Sequence, residues 1–346
     1  MDFKITKLED NQRIDKFVKR ALKDAPPSFI YKMFRKKDIK VNGKRVDIDY
    51  ILKENDHVSI YIKEELLSEF KKEKKITPVK ANFTILYEDE NILVVDKPKG
   101  LLVHEDESHC LYNMQNMVLN YLQKKGEWDK DDKTGFIPSP AHRLDRNTAG
   151  ILIFGKNLPS LRQLLELFRD KEMIEKKYTL LVKGMTSKEG IIDLPLVKDS
   201  DKKLVRVDKR SKFAKEALTK YRRIKYFDSD YSLVEATLLT GRTHQLRVHF
   251  SYISHPIVGD SKYGDFKVNE EFLKRFSLKS QFLHATYFAF KDNLDGYLSY
   301  LKGKIFISKL SEKEEEILQG LWYDTLFTDS LSAHLIFNTE HHLTFK

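Results

Sequence analysis

The segment 142–156, HRLDRNTAGILIFGK, joins a polar, charged run to a short apolar run that ends at a glycine. The apolar run ILIF lies between two glycines, which is typical of a strand that is buried on both faces. The residues before it, FIPSPAHRLD, contain two prolines and therefore disfavour a strand, because proline cannot donate a ladder hydrogen bond. We expect Asp145 to lie in a loop just before a central strand, where a rigid scaffold can hold a reactive side chain.

The charged neighbours of Asp145 leave two interpretations open. Arg143 and Arg146 flank the aspartate on both sides. A carboxylate in this setting can be catalytic, or it can simply pair with a neighbouring arginine on the protein surface. The residues of this loop do not decide between the two interpretations.

Composition limits the class of protein. The chain has 346 residues, which suggests about two domains, and 41% hydrophobic residues, enough for packed cores. Its net charge of +10 favours a polyanionic partner without identifying one. The single cysteine, Cys110, excludes an intrachain disulfide and a zinc site with several cysteines. Neither a secretory signal nor a run of the ~20 apolar residues of a membrane span is evident, so we expect a cytoplasmic protein without membrane association.

Residues 12–62 predict a compact module with the order helix, helix, hairpin, strand. In RIDKFVKRAL, apolar residues recur at helical spacing, and the following APP ends that helix. Ser28 is the expected N-cap of a second helix, FIYKMFRKK. The dipeptide Asn42-Gly43 predicts a tight hairpin turn, and DHVSIYI alternates as a strand does.

The rest of the chain predicts three further segments. Residues 63–80 are dense in charge and predict a linker or, equally, a solvated helix. In residues 81–323, strands dominate and helices lie between them, which predicts an α+β domain built on a mixed sheet. Residues 324–346 form a tail without a predicted role, in which disorder is favoured over a histidine metal site.

Two later segments carry polar residues in strand-like patterns. If GRTHQLRVHF is a strand, the side chains of Gln245, Arg247 and His249 share one face, opposite an apolar row. That face predicts the wall of a polar cleft in which Arg247 can hold a carboxylate or a phosphate, although a solvent-facing edge strand gives the same pattern. In KKYTLLVKG, Tyr178 shares a strand face with two aliphatic residues, which predicts a buried tyrosine, a role that is usually structural.

These segments, together and in this order, resemble the RluA family of RNA pseudouridine synthases. HRLDRNTAG is similar to the first family signature, with Ala149 in place of the usual serine. KKYTLLVKG is similar to the second, and LLTGRTHQLRVHFSYISHPIVGDSKYG to the third. DENILVVDKPKGLLVH and FLHATYFAF also look like family segments, and residues 12–62 resemble the S4 RNA-binding module that often precedes this domain. The resemblance extends over nearly all of the chain up to about residue 323.

The resemblance implies an enzyme that detaches uracil from its ribose and reattaches it through carbon 5, without a metal, nucleotide or redox cofactor. It implies that Asp145 is the catalytic carboxylate, which stabilises or attacks the positive charge that develops at the sugar. Tyr178 matches the active-site tyrosine that packs against the base. Arg247 matches the arginine that pairs with the catalytic aspartate and keeps it ionised. Whether the carboxylate attacks the sugar or the base stays open.

The same resemblance implies an RNA substrate. Large-subunit (23S) rRNA is favoured over tRNA, because the N-terminal segment looks most like the subgroup that modifies several sites in that RNA. Turning a uridine out of a helix costs a few kcal/mol, and basic groups can supply compensating phosphate contacts. The residues expected to contact RNA are Arg143, Arg146, Arg242, His244, Gln245, Lys32, Arg35, Lys36, Lys37, Lys44 and Arg45. The last six can also form a merely solvated basic face.

Two other classes of protein remain as alternatives. One is a non-catalytic RNA-binding or ribosome assembly factor, which the presence of Asp145, Tyr178 and Arg247 disfavours. The other is a carboxylate-dependent hydrolase, which usually needs a second catalytic carboxylate that these segments do not offer. The leading hypothesis is a monomeric, cofactor-independent RNA pseudouridine synthase.

Overall fold

A computed structural model describes residues 1–7, 9–22, 25–63, 65–66, 82–105, 111–129, 136–170, 172–199 and 204–328. The chain divides into two compact units, the first formed by Met1–Glu175 and Phe288–Ile307, the second by Lys176–Tyr287 and Ser308–Lys346. Most of the predicted linker and tail, and Cys110, lie outside the described residues. Within those ranges, no helix has both the length and the hydropathy needed to cross a bilayer. Helices and multi-stranded sheet confirm the predicted α+β class.

The N-terminal module has the predicted order helix, helix, hairpin, strand. The turn between its second and third strands has positive φ at Asn42 (51°) and Gly43 (74°), as expected. Ser28 is not a cap, because the second helix begins at Pro27. Proline suits this first position, since the N–H that it lacks would have no acceptor within the helix. The elements are β1 (Asp2–Lys4), α1 (Ile14–Ala21), α2 (Pro27–Lys36), β2 (Ile39–Val41), β3 (Lys44–Arg45) and β4 (His57–Ile60), with the strands paired in the order β1-β4-β2-β3.

Apolar residues of both helices and of the sheet form the core of this module. Phe17 of α1 packs edge-on against Phe3 of β1, with ring centroids 5.2 Å apart. Ile30 and Met33 of α2 are buried in the same cluster, and Phe34 packs against it as a partly buried neighbour. The spacing of these side chains leaves the basic residues of α2 on its outer face.

The rest of the first unit contains a sheet in which β8 (Ala149–Gly155) lies next to β6 (Ile92–Lys97), and β6 next to β5 (Thr84–Glu88). Every residue of β8 is buried, which confirms the strand buried on both faces that the ILIF run predicts. The pairing of β6 with β8 is antiparallel and sets Val95 opposite Leu152. The elements are β5 (Thr84–Glu88), β6 (Ile92–Lys97), α3 (Met114–Lys125), β7 (Ser139–Pro140), β8 (Ala149–Gly155) and α4 (Leu158–Asp170).

The second unit contains strands in the order β10 (Glu189–Asp193), β13 (Leu218–Phe227), β14 (Tyr231–Leu238) and β9 (Ile174–Lys183), with a separate hairpin of β11 (Leu196–Asp199) and β12 (Leu204–Val207). Tyr231 and Phe272 meet edge-on in its core, with ring centroids 4.9 Å apart. The elements are β9 (Ile174–Lys183), which begins in the first unit, β10 (Glu189–Asp193), β11 (Leu196–Asp199), β12 (Leu204–Val207), β13 (Leu218–Phe227), β14 (Tyr231–Leu238), α5 (Gln245–Tyr252), α6 (Phe266–Phe276), β15 (Leu283–Phe290), which ends in the first unit, and α7 (Glu312–Thr328).

The strand predicted for GRTHQLRVHF is wrong, because Gln245 begins helix α5. All six residues from Gln245 to Phe250 are buried. A short helix that is buried on every side has no polar face, so its sequence lacks the helical hydrophobic period. Polar and apolar residues alternate along this helix, which is the pattern typical of a strand. Each polar side chain nevertheless has a partner inside the protein.

Candidate active site

Asp145 lies in the loop just before β8, as predicted, and its side chain is half-buried. The backbone carbonyl of Asp145 accepts a hydrogen bond from the Thr148 amide at 3.0 Å, which closes a turn around the carboxylate. His142 fixes the start of the loop, since its Nε2 accepts from the Ile153 amide at 3.3 Å and its ring stacks on Phe168 at 4.4 Å. The loop is therefore attached to a buried strand and to α4 of the same unit.

A buried lysine, Lys97, holds the other side of this loop. Its Nζ donates to the carbonyl oxygens of Pro98 and Leu101, both at 2.9 Å, and to that of Arg146 at 3.0 Å. Burial lowers the pKa of Lys97 to about 7, although the charge of Asp145 acts in the opposite direction. The ammonium group thus joins the segment after β6 to the residue that follows Asp145.

This burial predicts a pH-dependent contribution of Lys97 to stability. The pKa falls from 10.5 in the unfolded chain to about 7 in the folded protein, so the unfolded chain binds more protons between these values. The contribution of Lys97 to the free energy of unfolding should therefore rise with pH in this window, by at most about 1.4 kcal/mol per pH unit. Urea unfolding of wild type and Lys97→Met from about pH 6 to pH 10 measures the difference, with Lys99→Met as control for loss of a lysine from the same loop. A flat or falling difference would show that Lys97 keeps its charge in the fold.

The two arginines beside Asp145 have exposed side chains. Burial, followed by the nearby charge of Arg143, lowers the pKa of His104. The backbone carbonyl of Arg146 accepts from Gly100 as well as from Lys97, so its backbone supports the loop while its side chain points outward. Their predicted contacts with RNA stay predictions.

Tyr178 lies in β9 opposite Ala236 of β14, and its side chain is buried. Leu180 and Val182, on the same strand face, are also buried, so the predicted burial of Tyr178 is confirmed. Its predicted role beside a uracil base is not tested by these contacts and stays a prediction.

Arg247, on α5, forms a buried ion pair with Asp260. Its Nε donates to Oδ2 at 2.6 Å and its Nη2 to Oδ1 at 2.8 Å, a bidentate geometry that fixes the guanidinium plane. Burial alone would raise the pKa of Asp260, but hydrogen bonds and charge from Arg247, with the amides of Lys262 and Tyr263, lower it overall. The arginine is thus an oriented cation held inside the second unit, while its predicted pairing with Asp145 stays a prediction.

Asp260 is placed by the glycine before it. Gly259 has φ of +79°, and a Cβ at this position would collide with the carbonyl oxygen of Ser280. Only glycine therefore allows the chain to turn here and direct the carboxylate of Asp260 at Arg247.

The side chains of Gln245 and His249 form hydrogen bonds with other residues of the protein and do not line a cleft. The amide oxygen of Gln245 accepts from the Thr240 hydroxyl at 2.7 Å and from the Arg242 amide at 3.0 Å, while its nitrogen donates to Leu218 O and Thr219 Oγ1. His249 lies one turn later and its Nδ1 also contacts Thr219 Oγ1, at 2.9 Å. We therefore reassign Gln245 from RNA contact to the support of the segment before α5.

The two other predicted RNA-binding residues of this segment differ in their surroundings. Arg242 is exposed, and its Nε donates to the Glu216 carbonyl at 2.9 Å. His244 has a left-handed backbone with φ of 54° at the start of α5, and its Nδ1 lies 2.8 Å from the hydroxyl of Tyr263. The guanidinium carbon of Arg247 lies over the ring of Tyr263, 5.1 Å from the ring centroid. A polar cluster of Arg242, His244, Arg247 and Tyr263 therefore surrounds the start of α5.

The basic residues of the N-terminal module lie on its surface. Lys32, Arg35, Lys36 and Lys37 belong to α2 or its end, and Lys44 and Arg45 form β3; all six are exposed. Tyr31, which precedes Lys32 in α2, is 51% exposed, and its ring centroid lies 5.2 Å from Lys19 Nζ. An accessible aromatic ring therefore lies near these cations. This arrangement suits a nucleic-acid backbone with an adjacent base.

Sequence reasoning missed Lys97 and Asp260 as supports of the site. Lys97 is the last residue of ILVVDK and falls on the same strand face as the apolar residues Leu93 and Val95. A lysine in such a position is the signal that could have indicated its burial. Asp260 lies in the turn-rich GDSKYGD, where only the spatial neighbour identifies its partner. In the described part of the chain, no group of three histidine, cysteine, aspartate or glutamate side chains is placed to hold a metal ion.

The chain is similar to known RNA pseudouridine synthases in sequence and in structure. Residues 91–252 match the family described as RNA pseudouridylate synthase, and residues 12–58 match the S4 domain. An uncharacterized RNA pseudouridine synthase of Aquifex aeolicus is 34% identical over 76% of this chain and 80% of that protein. The ribosomal large subunit pseudouridine synthase C of Vibrio cholerae is 34% identical over 79% of this chain and 83% of its own length.

Among solved structures, the human RNA pseudouridylate synthase domain containing 4 is similar with a TM-score of 0.55 and 27% sequence identity. The similarity covers 69% of this chain and 93% of the human one. The family match includes the positions of Asp145, Tyr178 and Arg247. Sequence and structure therefore point to the same family for the part of the chain that carries the candidate site.

Proposed function

Since the chain belongs to the RNA pseudouridylate synthase family and carries an S4 domain, we propose that it converts uridines of large-subunit rRNA to pseudouridine with Asp145 as the catalytic carboxylate. The family makes it a pseudouridine synthase, and the hydrolase and non-catalytic alternatives are set aside. The large-subunit target rests on the names of relatives such as the Vibrio cholerae protein. The observation that best supports the role of Asp145 is its half-buried position in a loop fixed by Lys97 and His142.

The reaction rearranges one nucleotide without adding or removing atoms. The bond from N1 of uracil to C1′ of ribose breaks, and a bond from C5 to C1′ forms. The hydrogen of C5 leaves as a proton, and N1 gains a proton. Because the balance needs no oxidant, reductant or group donor, we expect turnover without a cofactor.

The carboxylate has a direct task in this rearrangement. Breaking the glycosidic bond develops positive charge at C1′, which an ionised carboxylate stabilises or captures. The loop that carries Asp145 is held through the backbone carbonyls of Asp145 and Arg146, which positions the carboxylate for this task. We propose that Tyr178 packs against the uracil and assists proton movement at C5, and that Arg247 keeps the carboxylate ionised.

Mapping of pseudouridines in cellular RNA tests this proposal. Deletion of the gene should remove one or more pseudouridines from large-subunit rRNA, and a plasmid copy should restore them, whereas an Asp145→Asn copy should not. Loss confined to tRNA would replace the proposed substrate by tRNA. An unchanged map in both RNAs would overturn the proposed function.

The N-terminal module should supply electrostatic affinity for RNA. Changing Arg35, Lys36, Lys44 and Arg45 to alanine should weaken binding and flatten its dependence on salt, because each lost phosphate contact reduces the slope of log K against log salt by roughly 0.7–0.9. Binding of an rRNA transcript at several salt concentrations measures this slope. The matched control removes four exposed lysines elsewhere in the module, Lys4, Lys7, Lys16 and Lys53.

Equal slopes for the two quadruple variants would show that overall charge, not this surface, holds the RNA. The point variants also leave Gln12 in place, whose Oε1 accepts from Arg162 of α4 at 2.8 Å. Deletion of residues 1–75 would remove that acceptor, so the point variants give the cleaner test. The predicted monomeric state and cytoplasmic location stay predictions.

A further inference from the structure

Phe213 is 72% exposed, although burial of a phenylalanine side chain is worth about 1.5–3 kcal/mol. It lies in the loop 208–217, DKRSKFAKEA, between β12 and β13. We propose that this loop is a second RNA-binding surface, on which an unpaired base stacks against Phe213 while the neighbouring cations contact phosphates. The inference rests on the proposed function for its partner, RNA, but concerns a surface other than the S4 module.

The loop is fixed, so that it presents the ring in a defined place. The Asp208 carboxylate accepts from the amides of Arg210 and Ser211, both at 3.0 Å, and the Phe213 amide donates to Ser211 Oγ at 3.2 Å. At the end of the turn, Lys215 and Leu196 exchange two backbone hydrogen bonds at 2.8 and 2.9 Å. A ring held on a preformed turn loses little conformational freedom on binding, which favours affinity.

The charge around Phe213 selects a polyanion. Lys209, Arg210, Lys212 and Lys215 are exposed, and among the described residues none of them forms a salt bridge. Of the two carboxylates in the loop, Asp208 accepts from backbone amides and pairs with Arg206 at 2.9 Å, and Glu216 is exposed, so the four cations outnumber the carboxylates. Lys212 Nζ lies 5.3 Å from the centroid of the Phe213 ring. An aromatic ring among cations matches the combination by which proteins bind single-stranded RNA.

The loop is attached to the polar cluster at the start of α5. Arg242 donates to the carbonyl of Glu216, the penultimate residue of the loop, at 2.9 Å. The hydroxyl of Tyr263 accepts from the Val205 amide of β12 at 2.9 Å and also contacts His244. RNA held at Phe213 would therefore lie beside the segment that carries Arg242 and Arg247, in the same unit.

Phe266 provides a matched control on the same unit. It is 81% exposed, so its loss removes a similar exposed ring. Its sequence neighbours are Asp265, which pairs with Lys183 at 2.8 Å, and Lys267, so it lacks the excess of cations that surrounds Phe213. Exposure alone predicts the same effect for both residues, whereas our proposal predicts an effect only for Phe213.

Fluorescence anisotropy with a labelled single-stranded oligouridylate of twelve nucleotides tests the proposal on the full chain. Phe213→Ala should raise the Kd about fivefold or more, since base stacking on one ring contributes that much. Phe213→Tyr should bind as wild type, because the ring is kept, and Phe266→Ala should change the Kd less than twofold. Phe213→Leu should resemble the alanine variant, because leucine is apolar but has no π face.

Equal Kd values for Phe213→Ala and Phe266→Ala, or wild-type binding by Phe213→Leu, would overturn the proposal. Pseudouridine formation on an rRNA transcript at several enzyme concentrations separates it from the proposed function. Phe266→Ala should keep the wild-type single-turnover rate at every enzyme concentration, whereas Phe213→Ala should convert the RNA more slowly than wild type at enzyme concentrations below its Kd, because Phe213 is proposed to hold the RNA. If wild type binds RNA in a Phe213-dependent manner but forms no pseudouridine, the proposed function fails and this surface remains.

Discussion

Asp145→Asn should lower the single-turnover rate of pseudouridine formation by on the order of a thousandfold or more. The substitution keeps the shape of the side chain but removes the negative charge that, in our proposal, faces the developing positive charge at C1′. The loop should persist, because the bonds that hold it run through the backbone carbonyls of Asp145 and Arg146. RNA affinity should therefore stay within about twofold of wild type.

The control for this variant is Asp170→Asn, which neutralises an exposed carboxylate at the end of α4 in the same unit. It should keep the wild-type rate. Near-normal turnover by Asp145→Asn, or an equal loss in both variants, would contradict the assignment of the carboxylate. A large loss of RNA binding in Asp145→Asn alone would instead show that the aspartate holds the RNA-binding conformation of the loop.

Arg247→Met should lower the free energy of unfolding by about 3–5 kcal/mol, because it leaves the buried carboxylate of Asp260 without its cation. The loss should be largest near neutral pH. The pKa of Asp260 is lowered in the folded protein, so the stability that its ionisation contributes is present above the ordinary value of 3.8 and is lost as pH falls through the lower folded value. Urea unfolding at neutral and strongly acidic pH measures both effects.

Two variants define the origin of this loss. Arg146→Met removes an exposed arginine and should change stability by less than about 1 kcal/mol. Arg247→Met combined with Asp260→Asn should be more stable than Arg247→Met alone, since the uncompensated charge is gone while the acceptor for the Lys262 and Tyr263 amides remains. A harmless Arg247→Met, or a double variant that is less stable than the single one, would show that the pair with Asp260 does not stabilise the fold.

Local pattern was sufficient for much of the fold. The helical spacing of Ile14, Phe17 and Val18 predicts α1, and Asn42-Gly43 predicts the hairpin turn, because each depends on neighbours along the chain. The apolar run before Gly155 likewise predicts β8 and the loop of Asp145, but the expectation that the upstream prolines disfavour a strand is wrong for Ser139–Pro140, which pairs with β8 as the two-residue strand β7. These elements are determined by periodicity and turn chemistry, which a single sequence contains.

Local pattern failed to predict helix α5, because residues on all of its sides are buried. The period of hydrophobicity carries no signal there, because the polar side chains of Gln245 and His249 are satisfied by Thr219 and other partners inside the core. The partner of Arg247 could not be derived either, since Asp260 is thirteen positions away and approaches only through a turn at Gly259. Contacts of this kind depend on tertiary structure and not on local pattern.

Conversion of uridine by the purified chain tests the central claim most directly. The substrate is an unmodified large-subunit rRNA transcript, in buffer with a chelator and without nucleotide, and the product is pseudouridine mapped by chemical labelling and reverse transcription. We predict that wild type modifies one or more discrete uridines and that Asp145→Asn, at the same concentration, modifies none of them. A folded, RNA-binding wild-type protein that modifies no uridine, or an Asp145→Asn protein that modifies the same uridines at the same rate, would contradict the account.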